Sequence, residues 1–262
     1  MRPAERRRPS AGLGGEQVEG RRAVRELLAA GRRPVSRLWF AEGLDPSPQL
    51  DEIETWAARR RVRIETVPRR RLEGQARTDA PQGVLAVAKA VESVPLDQLV
   101  QRSGSEKEPF LLVVAGVTDP RNLGSLLRSA ECAGVNGVVL TRHRAARLTP
   151  TAVKVAAGAV EHLDFSDVGG TPAALERLGR LGVWSVGLAG EVDKSIYDVA
   201  LGTGPLALVV GGEERGLAPL VRRRCDVLVS IPQHGALPSL NVGVATAIAC
   251  FEVARQRAVE RS

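Results

Sequence analysis

The chain is poor in cysteine, histidine, lysine and aromatic side chains, and each shortage removes a class of function. Three cysteines (Cys132, Cys225 and Cys250) are odd in number and widely spaced with no CxxC pair, which excludes a disulfide framework. The only histidines are His143, His162 and His234, so no metal site is expected. No run of about 18 apolar residues occurs, so no membrane-spanning helix is expected. The N-terminus, MRPAERRRPSAGLGGEQ, has basic residues but no apolar stretch behind them, unlike a secretory leader. These absences read as a cytoplasmic protein. GxxxxGK[ST] is missing, which excludes a P-loop nucleotidase. No GxGxxG follows an apolar strand either, which disfavours dinucleotide-binding folds.

What is present is arginine and apolar aliphatics. At 262 residues and 44% hydrophobic content, the chain can bury one large core or two smaller ones. The formal net charge is +7 and the isoelectric point about 10.1. Four of the 37 basic residues are lysine (Lys89, Lys107, Lys154 and Lys194), leaving 33 arginines. A planar guanidinium binds phosphate bidentately and stacks on bases, which suits RNA, although a GC-rich genome also enriches arginine. Distribution adds to this: residues 1–108 hold 21 basic and 16 acidic residues, net +5, against net +2 for the remainder. A more basic front half points to polyanion contact there.

Residues 1–15 are rich in Arg, Pro and Gly with almost nothing apolar, and read as a disordered basic arm. The spacing of Val18, Val24, Leu27 and Leu28 predicts a helix running from Val18 to a stop at Gly31. A strand at 35–41, a helix after Pro48, a strand at 62–67, a helical turn at 69–72 and a strand at 83–90 follow. Residues 16–92 thus read as a small α/β sandwich. Residues 93–108 turn polar, carry Pro, Gly and Ser, and read as a linker. Residues 109–262 open on FLLVVAGV, a continuous apolar run expected of a strand buried on both faces of a parallel sheet. Helices at 122–134, 149–157, 172–181 and 239–257 alternate with strands at 137–140, 183–188, 206–210 and 226–231, again the pattern of a parallel sheet flanked by helices.

Ligands of such sheets bind beyond the carboxyl ends of the strands. Three loops therefore carry the interest: 118–123, 211–217 and 232–241. The first lies in Asp119-Pro120-Arg121-Asn122-Leu123-Gly124-Ser125-Leu126-Leu127-Arg128-Ser129-Ala130, with Ala133-Gly134-Val135 behind it. The second lies in LALVVGGEERGL (206–217), and the third is Ile231-Pro232 followed by Ser239-Leu240-Asn241-Val242. In this order and spacing the three resemble the signature motifs of the SpoU/TrmH family of RNA ribose 2′-O-methyltransferases, of the SPOUT superfamily. The match covers residues 110–257. The front part, with VEGRRAVRELL near its start, resembles the L30e-like substrate-binding domain that precedes many such domains. Pro238, where a small residue is more usual, and Gly243, commonly Ser or Ala, depart from the pattern beside the motifs.

The resemblance implies an L30e-like α/β sandwich followed by a SPOUT α/β domain with a parallel sheet and a trefoil knot. It implies a homodimer, S-adenosyl-L-methionine as methyl donor, and a ribose 2′-hydroxyl of RNA as acceptor, most closely a guanosine of large-subunit (23S) rRNA. The alternatives are a tRNA or other-site rRNA methyltransferase, including the antibiotic-resistance type, or a non-catalytic RNA-binding assembly factor. Carried over residue by residue, the catalytic set is Arg128, Asn122, Glu213, Ser239 and Asn241. The donor is expected against the backbone of Gly211, Ile231 and Leu240, where glycine at 211 would allow close approach. Glu214 has no counterpart in the pattern. Arg128 is implied to help the hydroxyl lose its proton, but a guanidinium stays protonated, which suits it better to stabilising the developing alkoxide. The plain readings stand beside these. Arg128 could pair with Glu131 on the surface, Glu213 could be an exposed loop carboxylate, and Ser239 or Asn241 could simply cap the last helix. His234 reads as solvated, Cys132 and Cys250 as core thiols, and Trp39 and Trp56 as core. An exposed Trp39 could instead stack a base, and the arginine triplets 69–71 and 222–224 read as solvated faces or RNA contacts, the first favoured as an RNA contact because it lies in the more basic front part.

Overall fold

The computed structural model describes residues 12–104, 108–142, 145–202, 204–213, 215–237 and 239–259. Residues 1–11, most of the expected basic arm, lie outside the described residues, as do His143, Glu214 and Pro238. The last residues assigned to that arm are ordered: Leu13 is buried, its N–H donates to the Val91 carbonyl, and Gly14 bridges to Leu148. One apolar side chain in a polar stretch was enough to anchor them.

The front unit runs β1 (Gln17–Glu19), α1 (Arg21–Ala30), β2 (Val35–Ala41), α2 (Pro48–Arg60), β3 (Ile64–Val67), α3 (Arg69–Gln75) and β4 (Val84–Ala88). Helix α1 does not begin at Val18. Gly20, at φ +92°, turns the chain, and Val18 instead pairs with Ala86 in an antiparallel ladder. The sheet order is β1-β4-β2-β3, with only the β2–β3 pair parallel. Alternation along β2 builds two cores. Leu38 and Phe40 pack with Leu27 of α1 and Ile53 of α2, whereas Trp39 and Ala41 pack with Leu72 of α3.

After β4 the chain forms α4 (Leu96–Ser103) inside the segment read as a linker. Its polar composition hides a short amphipathic spacing in which Leu99 is fully buried against the second sheet. The second unit continues with β5 (Phe110–Ala115), α5 (Pro120–Cys132), β6 (Gly137–Thr141), α6 (Pro150–Ala156), β7 (Asp164–Val168), α7 (Thr171–Arg180), β8 (Trp184–Leu188), β9 (Leu206–Gly211), α8 (Pro219–Arg222), β10 (Val227–Val229) and α9 (Val242–Val259). Six parallel strands lie in the order β10-β8-β9-β5-β6-β7. Leu112 and Val114 of β5 face α5, α6 and α9, whereas Leu111 and Val113 face α4 and α7. The strand is therefore apolar on both sides, as its sequence predicts.

The two sheets share one continuous apolar core through α1 and α6. A buried ion pair reinforces the junction: the Arg33 guanidinium meets both oxygens of Glu161 and also donates to the carbonyls of Gly15 (2.9 Å) and Lys89 (2.6 Å). Among the described residues no helix is long and apolar enough to cross a membrane.

Candidate active site

Strands β10, β8 and β9 are neighbours, and their carboxyl ends release three loops toward the start of α9. Between them lies a cavity of about 470 Å³. Its walls are Gly211, Gly212 and Glu213 after β9, Ile231 after β10, and Ser239, Leu240 and Val242 leading into α9. The three expected donor-contacting residues and two of the expected catalytic ones thus line one cavity.

Helix α5 starts beside it. Pro120 occupies the first turn, and the Asp119 carboxylate accepts from the Arg121 N–H at 2.8 Å, fixing where the helix begins. That places Asn122 in the first turn. Its amide Nδ2 donates to Glu213 Oε1 at 2.7 Å, and its Oδ1 accepts from Asn241 Nδ2 at 2.9 Å. Asn241 in turn caps α9, its Oδ1 accepting from the N–H groups of Gly243 (2.9 Å) and Val244 (3.4 Å). One chain of side-chain hydrogen bonds therefore joins all three motifs across as many as 119 residues of sequence. Ser239 is not the cap. It lies before α9, exposed on the cavity wall, and of the two residues that could cap the helix it is Asn241 that does so.

The fold itself also requires a glycine at position 211. A Cβ there would stand 2.1 Å from the Gly216 carbonyl carbon and 2.4 Å from the Leu217 nitrogen. The close approach is that of the chain's own loop folding back, and the glycine acts on the cavity by setting this loop.

Arg128 is not brought into the cavity. Six positions beyond Asn122 on α5, it points roughly 240° round the helix. It is exposed and has no ion pair or hydrogen bond among the described residues, so the surface pairing with Glu131 does not form. It faces instead a second cleft between the two sheets.

Sequence reasoning missed part of the cavity wall: Leu188 at the end of β8, Ala189–Glu191 after it, and Thr246 within α9. The strand-end rule that singled out the other loops applies equally to β8, but no motif marks its loop. Glu191 and Glu213 give the cavity an acidic side, Arg215 a basic one, and Val210, Ile231 and Val242 an apolar floor.

Elsewhere, Trp39 is core, its Nε1 donating to Glu65 (2.9 Å) and its ring flanked by the guanidinium groups of Arg37 and Arg71 at 4.8 and 4.9 Å. Trp56 is half-buried beneath Arg59. Cys250 is core and burial pushes its thiol up to about 12, but Cys132 is exposed, contrary to expectation, at the end of α5. His234 is exposed. In the triplets, Arg71 pairs with Glu65 at 3.6 Å, Arg222 with Glu191, and Arg224 with Glu176 at 3.5 Å.

A small-molecule cavity at the carboxyl ends of adjacent parallel strands defines an α/β ligand-binding protein. The comparisons carry this further. Residues 109–251 match the model of the SpoU rRNA methylase family, and residues 17–94 that of the RNA 2′-O ribose methyltransferase substrate-binding domain. The chain is 39% identical to the 23S rRNA (guanosine-2′-O-)-methyltransferase RlmB of Pseudomonas putida over 94% of this chain and 98% of that one. It is 38% identical to RlmB of Yersinia pestis over 94% and 99%. The structure of the SpoU methyltransferase AviRb from Streptomyces viridochromogenes, in complex with AdoMet, superposes with a TM-score of 0.74 at 26% identity, covering 93% of this chain and 90% of that one. The chain belongs to the SpoU rRNA methylase family.

Proposed function

We propose that the chain transfers a methyl group from S-adenosylmethionine to the ribose 2′-hydroxyl of a guanosine in 23S rRNA, acting in the cytoplasm. The observation that carries this reading is the hydrogen-bonded chain Glu213–Asn122–Asn241 at the mouth of the strand-end cavity, which ties together the motifs shared with relatives named for this activity.

The donor fits the cavity chemically. Its volume is within the range of cofactor sites, about 300–1,000 Å³. Glu213 suits a cationic ligand and Arg215 its carboxylate, and Gly211, Ile231 and Leu240 line the wall where a purine would lie. When bound, S-adenosylmethionine supplies an electrophilic methyl group and a neutral sulfur leaving group.

The chain's residues then orient and stabilise. Asn122 and Asn241 hold the loops in register, Glu213 faces the cavity, and Ser239 offers a hydroxyl on its wall. Arg128 supplies a fixed positive charge for the developing 2′-oxyanion. Because Arg128 stands outside the cavity of its own chain, a second copy apposed across α5 and α9 would complete the site. Helix α9 supports such a homodimer, exposing Val244, Phe251 and Val259 to about half or more of their area. Mapping 2′-O-methyl positions in 23S rRNA from cells with and without this protein tests the function. Loss of one guanosine methylation is expected; an unchanged map contradicts it.

A further inference from the structure

The space between the two sheets has no role in the donor site. It is a cleft of about 880 Å³ into which five basic side chains converge: Arg22 from α1, Arg77 from the loop after α3, Arg121 and Arg128 from α5, and Lys154 from α6. The acidic side chains lining it are Asp79 and Asp119. Asp79 reaches Arg121 only at 3.7 Å, in an exposed pair, and Asp119 is engaged at the helix start. The side chains of Arg22, Arg77 and Arg128 have no hydrogen bond or ion pair among the described residues. Unneutralised guanidinium groups converging on one concave space repel one another and favour a polyanion.

The wall holding Arg77 is built rather than loose. Glu19, fully buried, accepts from the backbone N–H groups of Arg77 (2.7 Å) and Thr78 (3.2 Å) and from the Thr78 hydroxyl. Lys154, from the other unit, donates to the same hydroxyl at 3.1 Å and to the Ala80 carbonyl. The loop is thereby clamped from both sides, and the two units share one wall. No aromatic side chain among the described residues lines the cleft, so it offers no aromatic platform for bases.

We propose that this cleft grips the backbone phosphates of the RNA strand carrying the target ribose, with Arg22 and Arg77 leading that strand to Arg128. The inference rests on the reading of the chain as an RNA methyltransferase. Contacts of this kind position a strand without reading its sequence.

The test uses the full chain and a fluorescein-labelled 23S rRNA transcript, with anisotropy measured over a salt series, and donor binding measured by calorimetry. Arg22→Gln and Arg77→Gln should each flatten the slope of log affinity against log salt by about one, and the double variant by about two. The same flattening should occur with an RNA of unrelated sequence. Arg22→Lys and Arg77→Lys should keep the wild-type slope, and Arg180→Gln, on the distant α7, should leave it unchanged. All should bind S-adenosylmethionine like the wild type, since both arginines are exposed and remote from its cavity. Wild-type slope and affinity in the double variant would overturn the assignment while leaving the methyltransferase reading intact. A wild-type chain that binds no RNA would overturn both.

Discussion

Asn122 spends both ends of its amide on residues from other motifs, so its loss is felt in two loops at once. Asn122→Ala removes the partner of the Glu213 carboxylate and of Asn241 Nδ2, while Asn241 Oδ1 keeps its hold on α9; water can reach both freed groups, so the cost to stability is small. Misplacement of the reacting groups, by contrast, costs about a hundredfold in rate. Single-turnover methylation should therefore fall on the order of 100-fold while the melting temperature moves little. Arg128 separates charge from shape: if the planar fork matters, Arg128→Lys and Arg128→Ala both lose roughly a hundredfold or more, with donor affinity unchanged. A rate that rises with pH in the Lys variant alone would instead mark proton abstraction. The cysteines give a test of packing. Burial pushes the Cys225 thiol up to about 11 and that of Cys250 to about 12, whereas Cys132 is exposed, its thiol raised by partial burial and then by Glu131. Alkylation of the native protein at mildly alkaline pH should label Cys132 first and Cys250 only on unfolding.

Elements differ in how plainly the sequence announces them. The strands at β5 and β9 are readable because both faces are buried and the apolar run is unbroken. Strand β7, DFSDV, escapes notice because it lies at the sheet edge, where only Phe165 and Ser166 are buried. Helix α4 escapes because Asp97, Gln98, Gln101 and Arg102 outweigh its apolar positions in composition. Val18 carries the wrong period because three residues of strand look like one more turn of helix until Gly20 intervenes. The site residues were legible through motif order, but their hydrogen bonds were not, since Asn122 and Asn241 lie 119 positions apart. The implied knot is a matter of threading, to which neither periodicity nor strand register responds. Gly211 shows the same limit: its type is readable, but its contact with the loop at 216–217 is not. Gly211→Val would drive the loop at 216–217 outward, so donor affinity should drop at least tenfold in a chain that still folds. Calorimetry with S-adenosylmethionine checks it, and wild-type affinity in a folded variant would place the donor elsewhere.

At the scale of the whole molecule, the front unit is docked on its partner sheet, not tethered beside it. Removing residues 1–108 would therefore strip Leu13, Val18 and Leu27 from a core they share with Val153 and Val160. Point substitutions probe the docking more cleanly. Breaking the Arg33–Glu161 pair by Glu161→Gln leaves a buried guanidinium without its counter-charge and should cost about 3–5 kcal/mol in unfolding free energy. Replacing both partners by apolar residues of similar size should cost much less, which chemical denaturation can measure. If α9 forms a homodimer interface, sedimentation should give about twice the 27.9 kDa chain mass, and Phe251→Asp should return it to the monomer.

The central claim is transfer to a ribose oxygen, and it is tested most directly by the position of the label. Full-length protein incubated with 23S rRNA and methyl-labelled S-adenosylmethionine should yield, after alkaline hydrolysis, radioactivity in a dinucleotide with guanosine at its 5′ side. A methylated 2′-oxygen cannot attack the adjacent phosphate, so that linkage survives the base. Label recovered in mononucleotides, and therefore on a base, would contradict the account.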